Sequence, residues 1–464
     1  MNMINIETDS RKIKKGDIFV ALKGISSNGD EYISNAISNG ASKVVCESGS
    51  YDVETIIVDD TKKYLEDYLE TNYKKYLDEM TLICITGTNG KTTGAFIIYE
   101  LLNKLGLKCG YLGTIGYYLD DFVSYSPNSA PDLCTVYHSI LEAYEKGFRY
   151  FVLEGSSQGL DMGRLNTIKF DYAIYTNLTH EHLDYHKTME NYMKAKLKVF
   201  ENTKDNALCI INTDDEYSKN FILDKNRNTL YGMNSNANYK IENPIYKLDK
   251  TIFDLNINGS IRHVESPLLG DYNIYNLIPA IAILDDMKIP YEKYEPYIKE
   301  LVTPDGRNEK IKYKDNLIIV DYAHTPDGIF KIGSAYKKIN PNHLYIIFGE
   351  RGSRDRTKRP EMLEIATDLA DYVIVTDNHL YGEDGAQIIN DIIKNPKNNN
   401  FEVIRDRKKA IEKGIELLDS NDVLLILGKG HETYLDIGSE RIHFDDREVV
   451  REIISTKENK KVVS

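Results

Sequence analysis

Thr81-Leu-Ile-Cys-Ile-Thr-Gly87-Thr-Asn-Gly90-Lys91-Thr92-Thr93 is the stretch on which the reading of this chain turns. A β-prone apolar run enters two glycines, a lysine and two threonines, after which Ile98, Leu101, Leu102 and Leu105 recur at helical spacing. Strand, glycine loop and helix N-terminus together make a phosphate cradle. Glycines let backbone N–H groups approach, the helix dipole favours an anion, and Lys91 neutralises it. Gly87, Thr88, Asn89, Gly90, Lys91, Thr92 and Thr93 are the candidate phosphate-binding residues of a nucleotide site, with Thr92 where a P-loop hydroxyl ligates Mg²⁺. Only two residues separate Gly87 from Gly90, fewer than in the common P-loop spacing. A plain strand-to-helix turn is the competing reading, and the Gly-Lys-Thr-Thr run tells against it.

The same pattern repeats outward from this loop. Short apolar strands lead into Glu154, Asn177, Asn212, Asp321, Gly349, Asp377 and Gly428, with helical segments between them. Such alternation predicts parallel sheets with ligands at the carboxyl ends of the strands. The first 80 or so residues read as a separate α/β piece, closed by a Tyr-rich helix over about 62–78. Alternating residues around Asn258-Gly259 predict an antiparallel hairpin. Thr303-Pro-Asp-Gly306 marks a further boundary, so three domains are expected, at 1–78, 79–303 and 304–464, with a frayed tail from about 456.

Bulk properties narrow the function classes. A chain of 464 residues is too long for one core. A net charge of −14 argues against wholesale nucleic-acid binding. No apolar run suits a membrane helix and the N-terminus lacks signal-peptide features, so a cytoplasmic protein without membrane partners is expected. Five scattered cysteines with no C-x-x-C pair read as reduced core thiols.

Four further clusters carry chemistry. Glu154, beside the P-loop, is a natural Mg²⁺ ligand. Asn177-Leu-Thr-His180-Glu181-His182-Leu-Asp184-Tyr-His186 concentrates histidines and acids without the H-E-x-x-H zinc pattern. A histidine there suits a second Mg²⁺ or a phosphate, a solvated loop being the alternative. Gly349-Glu-Arg351-Gly-Ser-Arg354-Asp-Arg356-Thr-Lys358-Arg359 packs five cations into nine residues, a clamp for developing phosphate charge. Gly428-Lys-Gly-His431-Glu432 ends another strand with a carboxylate. Lys196, on a helix, reads by itself as a solvated charge.

Taken in order, these motifs resemble the Mur ligases, ATP-dependent enzymes that add amino acids to the peptidoglycan precursor. The similarity runs from about residue 7 to 450, including Thr8-Asp-Ser10-Arg11 and Asp321-Tyr-Ala-His324-Thr-Pro-Asp327, and is strongest to the branch adding the third residue. It implies a small N-terminal UDP-binding α/β domain, a central P-loop ATPase parallel sheet with a small antiparallel sheet, and a C-terminal Rossmann-like, amino-acid-binding domain. It implies two Mg²⁺ sites held by Thr92, Glu154, His182 and Lys196, the last carbamylated by CO₂ to a carboxylysine. Lys91, Glu154, His182 and Lys196 would be catalytic. Asn273, Asn276, Arg307, Asp321 and His324 would join the ATP site. Ser10 would hold the uridine nucleotide. Ser129, Ser157 and Arg164 would contact the dipeptide, and Asp377, Asn378, Gly428 and Glu432 the incoming amino acid. The implied substrates are ATP, UDP-N-acetylmuramoyl-L-alanyl-D-glutamate and a diamino acid, joined through an acyl phosphate by a monomeric enzyme.

Three positions depart from the family pattern. Ser129-Ala-Pro replaces Thr-Thr-Pro, and Gln158 replaces a histidine. Asp377-Asn378-His379-Leu380 replaces Asp-Asn-Pro-Arg, whose arginine pairs with the distal carboxylate of diaminopimelate. Lysine, ornithine and diaminopimelate therefore stay open, as does an arginine supplied from elsewhere, such as Arg351. A related Mur-type ligase acting on another carboxylate or amino acid is the alternative, and a catalytically dead nucleotide-binding regulator is a third.

Overall fold

Strand Thr81–Thr86 lies inside a sheet of eleven strands, between Phe170–Tyr175 on one side and Tyr150–Gly155 on the other, all three parallel. These observations come from a computed structural model that describes residues 5–462 apart from 25–27, 127, 235 and 439. Met1–Ile4, part of the stretch read for a leader, lie outside the described residues. The neighbouring strands are buried on both faces, which is why they read as continuous apolar runs rather than alternating ones. Helix Lys91–Lys104 packs Ile97, Ile98, Leu101 and Leu102 under one face, together with helix Asp271–Asp286. Helices Thr61–Asp78, Leu133–Glu145 and Met189–Glu201 cover the other.

The expected hairpin forms as Thr251–Ile257 and Ser260–Ser266, turning at Asn258 (φ 49°) and Gly259 (φ 96°). Its antiparallel strands are not detached. Strand Tyr239–Tyr246 pairs parallel with Arg227–Gly232 through Tyr231 and Gly232, so one hydrogen-bonded sheet runs through both parts.

A second sheet has six strands in the order Glu309–Tyr313, Asn316–Asp321, Val423–Leu427, Leu344–Phe348, Tyr372–Val375 and Phe401–Val403, parallel after the first pair. A four-stranded parallel sheet holds Ile6–Glu7, Ile18–Val20, Lys43–Cys46 and Glu54–Ile57. Helix Asp446–Val462 buries Val449, Val450 and Ile453, and its backbone continues through 456–462, in the stretch from about 456 expected to fray. All five cysteines are buried and unpaired. Among the described residues no helix is long and apolar enough to cross a membrane.

The carboxyl ends of the two large sheets face each other. Asn89 of the P-loop donates to Asp327, at the start of helix Pro326–Lys338, over 2.7 Å. That helix begins where Thr325 accepts the Gly328 N–H at 3.0 Å and Pro326 occupies its first turn, so the Thr-Pro-Asp run is a helix start.

Candidate active site

Backbone geometry explains the loop's glycines. Gly87 (φ 151°) sits so close to the next loop that a Cβ there would lie 1.8 Å from Thr176 Oγ1. Gly90 (φ 88°) would bring one to 2.4 Å from Asn276 Oδ1. Lys91 Nζ curls back to donate to the Gly87 and Thr88 carbonyls, both at 2.8 Å. Burial lowers its pKa to about 8 against the pull of Glu154.

The Thr92 hydroxyl donates to Glu154 Oε2 at 3.0 Å. Glu154 is almost wholly buried and also accepts from Tyr111 Oη (2.5 Å), Thr114 N (2.8 Å) and Thr114 Oγ1 (2.9 Å). Thr114 Oγ1 in turn lies 2.7 Å from Ser129 Oγ. A short chain of oxygens therefore runs from the P-loop to the segment expected to meet the dipeptide.

Lys196 is not the solvated charge its helix alone suggests. It is 1% exposed, donates to the Gly87 carbonyl at 2.6 Å and lies 4.5 Å from the Tyr192 ring centre. Burial, then the neighbouring Lys91 charge, push its pKa well below the usual lysine value. Burial and the two lysines likewise bring His182 down to about 3, leaving a neutral imidazole. His182 takes the left-handed conformation (φ 56°) ahead of the short helix Leu183–His186.

Two cavities with shared lining residues occupy the gap between the sheets. One, of about 220 Å³, is lined by Lys91, Thr92, Ser129, His182, Arg354 and Lys358. The other, of about 330 Å³, is lined by Asn276, Tyr275, Asp214, Asp321 and Lys331. Arg307, Tyr322 and His324 border both. The Arg307 guanidinium lies 4.2 Å from the Tyr322 ring centre, and its buried Nε has no hydrogen-bond partner. Asp321 accepts from Ala323 N (2.7 Å) and Asn308 N (2.6 Å), and burial pushes its pKa up. Lys358 Nζ donates to the His324 carbonyl (3.1 Å), with Glu350 at 3.2 Å and Glu181 at 3.9 Å.

Three family profiles match in chain order: the Mur ligase family catalytic domain over residues 3–75, the Mur ligase middle domain over 85–284, and the Mur ligase glutamate ligase domain over 306–430. The UDP-N-acetylmuramoyl-L-alanyl-D-glutamate–2,6-diaminopimelate ligase of Clostridium perfringens is 37% identical, with 98% of this chain and 95% of that one aligned. Its counterpart from Fusobacterium nucleatum is 38% identical, over 97% and 94%. The chain belongs to the Mur ligase family.

A solved structure of a ligase bearing the same diaminopimelate-adding name superposes with a TM-score of 0.69 at 31% identity, covering 98% of this chain and 95% of that one. A MurF ligase from Thermotoga maritima in complex with ADP shares the fold, with a TM-score of 0.71 at 20% identity and 99% of both chains covered.

Other residues that the Mur ligase pattern nominates stand further from the two cavities. Asn273 is buried one layer behind Asn276, accepting its Nδ2 at 3.1 Å and donating to the Leu269 carbonyl at 2.8 Å. Ser157 is buried 3.0 Å from His186 Nε2, and Arg164 donates to the Ala130 carbonyl at 2.7 Å. Ser10 opens a short turn in the N-terminal sheet piece, its carbonyl accepting Asn39 Nδ2 at 2.8 Å. Asp377 pairs with Arg405 at 2.9 Å instead of presenting a free carboxylate. Asn378 donates to the Gly349 carbonyl at 3.0 Å, beside Gly428.

The cation run divides. Arg351, Arg354 and Lys358 border the smaller cavity. Arg359 is buried on Glu383 and Asp391, both at 2.8 Å, and Arg356 also pairs with Asp391, so these two hold a loop rather than a phosphate. Tyr111, Thr114 and Tyr192 escaped the sequence reading. Tyr111 and Thr114 reach Glu154 from other strands and loops, and Tyr192 Oη lies 3.1 Å from Thr88 Oγ1 of the P-loop, so nothing in their local spacing marks them.

Proposed function

We propose that this chain is an ATP-dependent ligase that joins a diamino acid to the D-glutamate side-chain carboxylate of UDP-N-acetylmuramoyl-L-alanyl-D-glutamate, in peptidoglycan precursor synthesis. The observation that carries this reading is the meeting of two sheet ends at one gap, with Lys91 on one wall and Arg307, Arg354 and Lys358 on the other. The names of the relatives point the same way. In this reading adenosine lies beside Asn276 and Asp321, and the phosphates lie on the P-loop backbone.

The substrate carboxylate attacks the γ-phosphorus of ATP as the bond to the ADP oxygen breaks. The incoming amine, having lost a proton, then attacks the acyl carbon, and phosphate departs with the electron pair. Lys91 and the C-terminal cations offset repulsion between carboxylate and phosphate, so the protein positions and stabilises charge without forming a covalent bond. The facing domains keep water from the acyl phosphate.

The residues present fit Mg²⁺. Thr92 and Glu154 offer hard oxygens 3.0 Å apart, and His182 is neutral. Thr92 and Glu154 would hold the ion, with His182 beside them, and it would supply positive charge against the phosphates. Lys196 fits carbamylation, since burial lowers the pKa of its amine, and an amine in its neutral form can add to CO₂ with loss of one proton and present a carboxylate. The three small-molecule substrates are then ATP, the UDP-linked dipeptide and the diamino acid, and the cytoplasm is the place that supplies them.

Phosphate release tests the reading, with ATP, Mg²⁺ and the UDP-linked dipeptide against meso-diaminopimelate, L-lysine, L-ornithine and D-lysine. Turnover with at least one is expected. Silence across the panel would favour the alternative, a related ligase for another carboxylate or amino acid, to which Ser129 and Leu380 lend some weight. Lys196→Ala should lose activity and recover part of it with added formate or acetate. A folded variant that ignores those anions would sink carbamylation.

A further inference from the structure

The end of strand Leu344–Phe348 carries a buried guanidinium that the mechanism above leaves unused. Arg351 is 8% exposed at its side chain and donates Nη2 to Glu432 at 2.6 Å and to the Gly428 carbonyl at 3.3 Å. Its Nε is buried with no hydrogen-bond partner, although the residue borders the smaller cavity. A buried N–H without an acceptor is costly, and a guanidinium edge matches a carboxylate.

Glu432 beside it is asymmetric. Its Oε2 accepts from both Arg351 and His379 Nε2, the latter at 3.0 Å. The histidine tautomer is fixed, because Nδ1 accepts the Asp436 N–H at 3.0 Å and Nε2 must carry the proton. Burial opposes ionisation of Glu432, but the His379 bond and the Arg351 charge hold its carboxyl down to about 2. It remains an anion with Oε1 left for a cation. Leu380 contributes no charge here. Its Cδ2 packs 3.1 Å from where a Gly385 Cβ would stand, among the apolar residues of the C-terminal core.

We infer that Arg351 and Glu432 form a matched receptor for the far end of the incoming amino acid, with Arg351 taking a carboxylate and Glu432 an ammonium. The acceptor class is therefore a diamino dicarboxylic acid, such as 2,6-diaminopimelate, and Arg351 supplies the charge that Leu380 lacks. This inference rests on the ligase reading above. A lysine or ornithine would satisfy Glu432 and leave the Arg351 edge unmet.

The test compares kcat/KM for meso-diaminopimelate and L-lysine in the wild type, Arg351→Gln and Arg351→Lys, and uses hydroxylamine to trap the acyl phosphate. The wild type should prefer diaminopimelate, and Arg351→Gln should reduce the preference roughly 10- to 100-fold, chiefly through KM for diaminopimelate. Arg351→Lys, keeping a point charge, should fall between. The ratio of two substrates on one variant does not depend on how much of it is folded. Replacing the distal carboxylate of diaminopimelate by a carboxamide should cost the wild type a similar factor, which covers the case of an inert variant. Equal use of lysine and diaminopimelate by the wild type, indifference to the carboxamide, or an unchanged ratio in Arg351→Gln would overturn the inference. Failure to trap a hydroxamate from the UDP-linked dipeptide and ATP would instead overturn the ligase reading itself.

Discussion

The two sheet ends that meet at the active site are built by different means. On the P-loop side, seven consecutive residues make the cradle, and their fit is enforced by backbone proximity at Gly87 and Gly90. On the C-terminal side, charge is assembled from separate loops, and each cation's role depends on which acid it meets. Arg351 meets Glu432, Lys358 meets Glu350, and Arg359 meets Glu383 and Asp391. A contiguous site announces its function in one dimension, whereas an assembled one shows it only after folding.

Removing the P-loop cation should give the largest effect. Lys91→Ala is expected to lower kcat roughly 1,000-fold, judged from the loss of a preorganised charge at a transition state, and phosphate release would measure it. A loss under tenfold would mean that the opposite wall carries the phosphate charge alone.

The corresponding deletion on the other side should strike stability instead. Arg359→Ala leaves two carboxylates facing a buried void, and a cost of about 3–5 kcal/mol in chemical denaturation is expected. The Arg359 hydrogen bond, against burial, holds Glu383 down to about 2 from an ordinary 4.5. A depressed carboxylate stabilises the fold above its unfolded value and loses that contribution as pH falls through the folded one. Wild-type stability should therefore decline from about pH 4.5 towards 2, and the variant should lose that part of the slope. An unchanged slope in Arg359→Ala would assign the low value of Glu383 to another partner.

Paired glycine substitutions compare the two sides at the backbone. Gly90→Ala places a Cβ 2.4 Å from Asn276 Oδ1, while Gly428→Ala places one 2.9 Å from Asn378 Nδ2. Each adds about 1–2 kcal/mol of left-handed strain. Thermal melting and the KM for ATP should shift more for Gly90→Ala, and the reverse order would show the P-loop to be the more pliant wall. The smallest effect belongs to Arg405→Ala, which removes a half-exposed pair with Asp377 worth under about 1 kcal/mol. A large rise in KM for the diamino acid in that variant would restore Asp377 to the acceptor site.

The legibility of the chain follows the same division. Strands 81–86, 150–155 and 170–175, the hairpin at Asn258-Gly259 and the P-loop all came through, because burial on both faces and positive φ leave local marks in sequence. Lys196 could not be read from its helix, since it donates to the Gly87 carbonyl over a hundred positions away. Arg356 and Arg359 were indistinguishable from Arg351 in a run of charge, because Asp391 and Glu383 lie on another segment. The helical stretch from 456 was missed because it is mostly polar and carries no periodic apolar face of its own.

Tyr322 lies between the two guanidiniums, 4.2 Å from Arg307 and 4.8 Å from Arg351, measured to its ring centre. One aromatic ring thus touches both the guanidinium proposed for the nucleotide side and the one proposed for the amino-acid side. A ligand that drew either guanidinium off the ring would alter a contact on the same side chain that the other guanidinium uses. The chain contains no tryptophan, so an indole placed at that position would be the only one in the molecule and would report that shared contact by fluorescence as each substrate arrives.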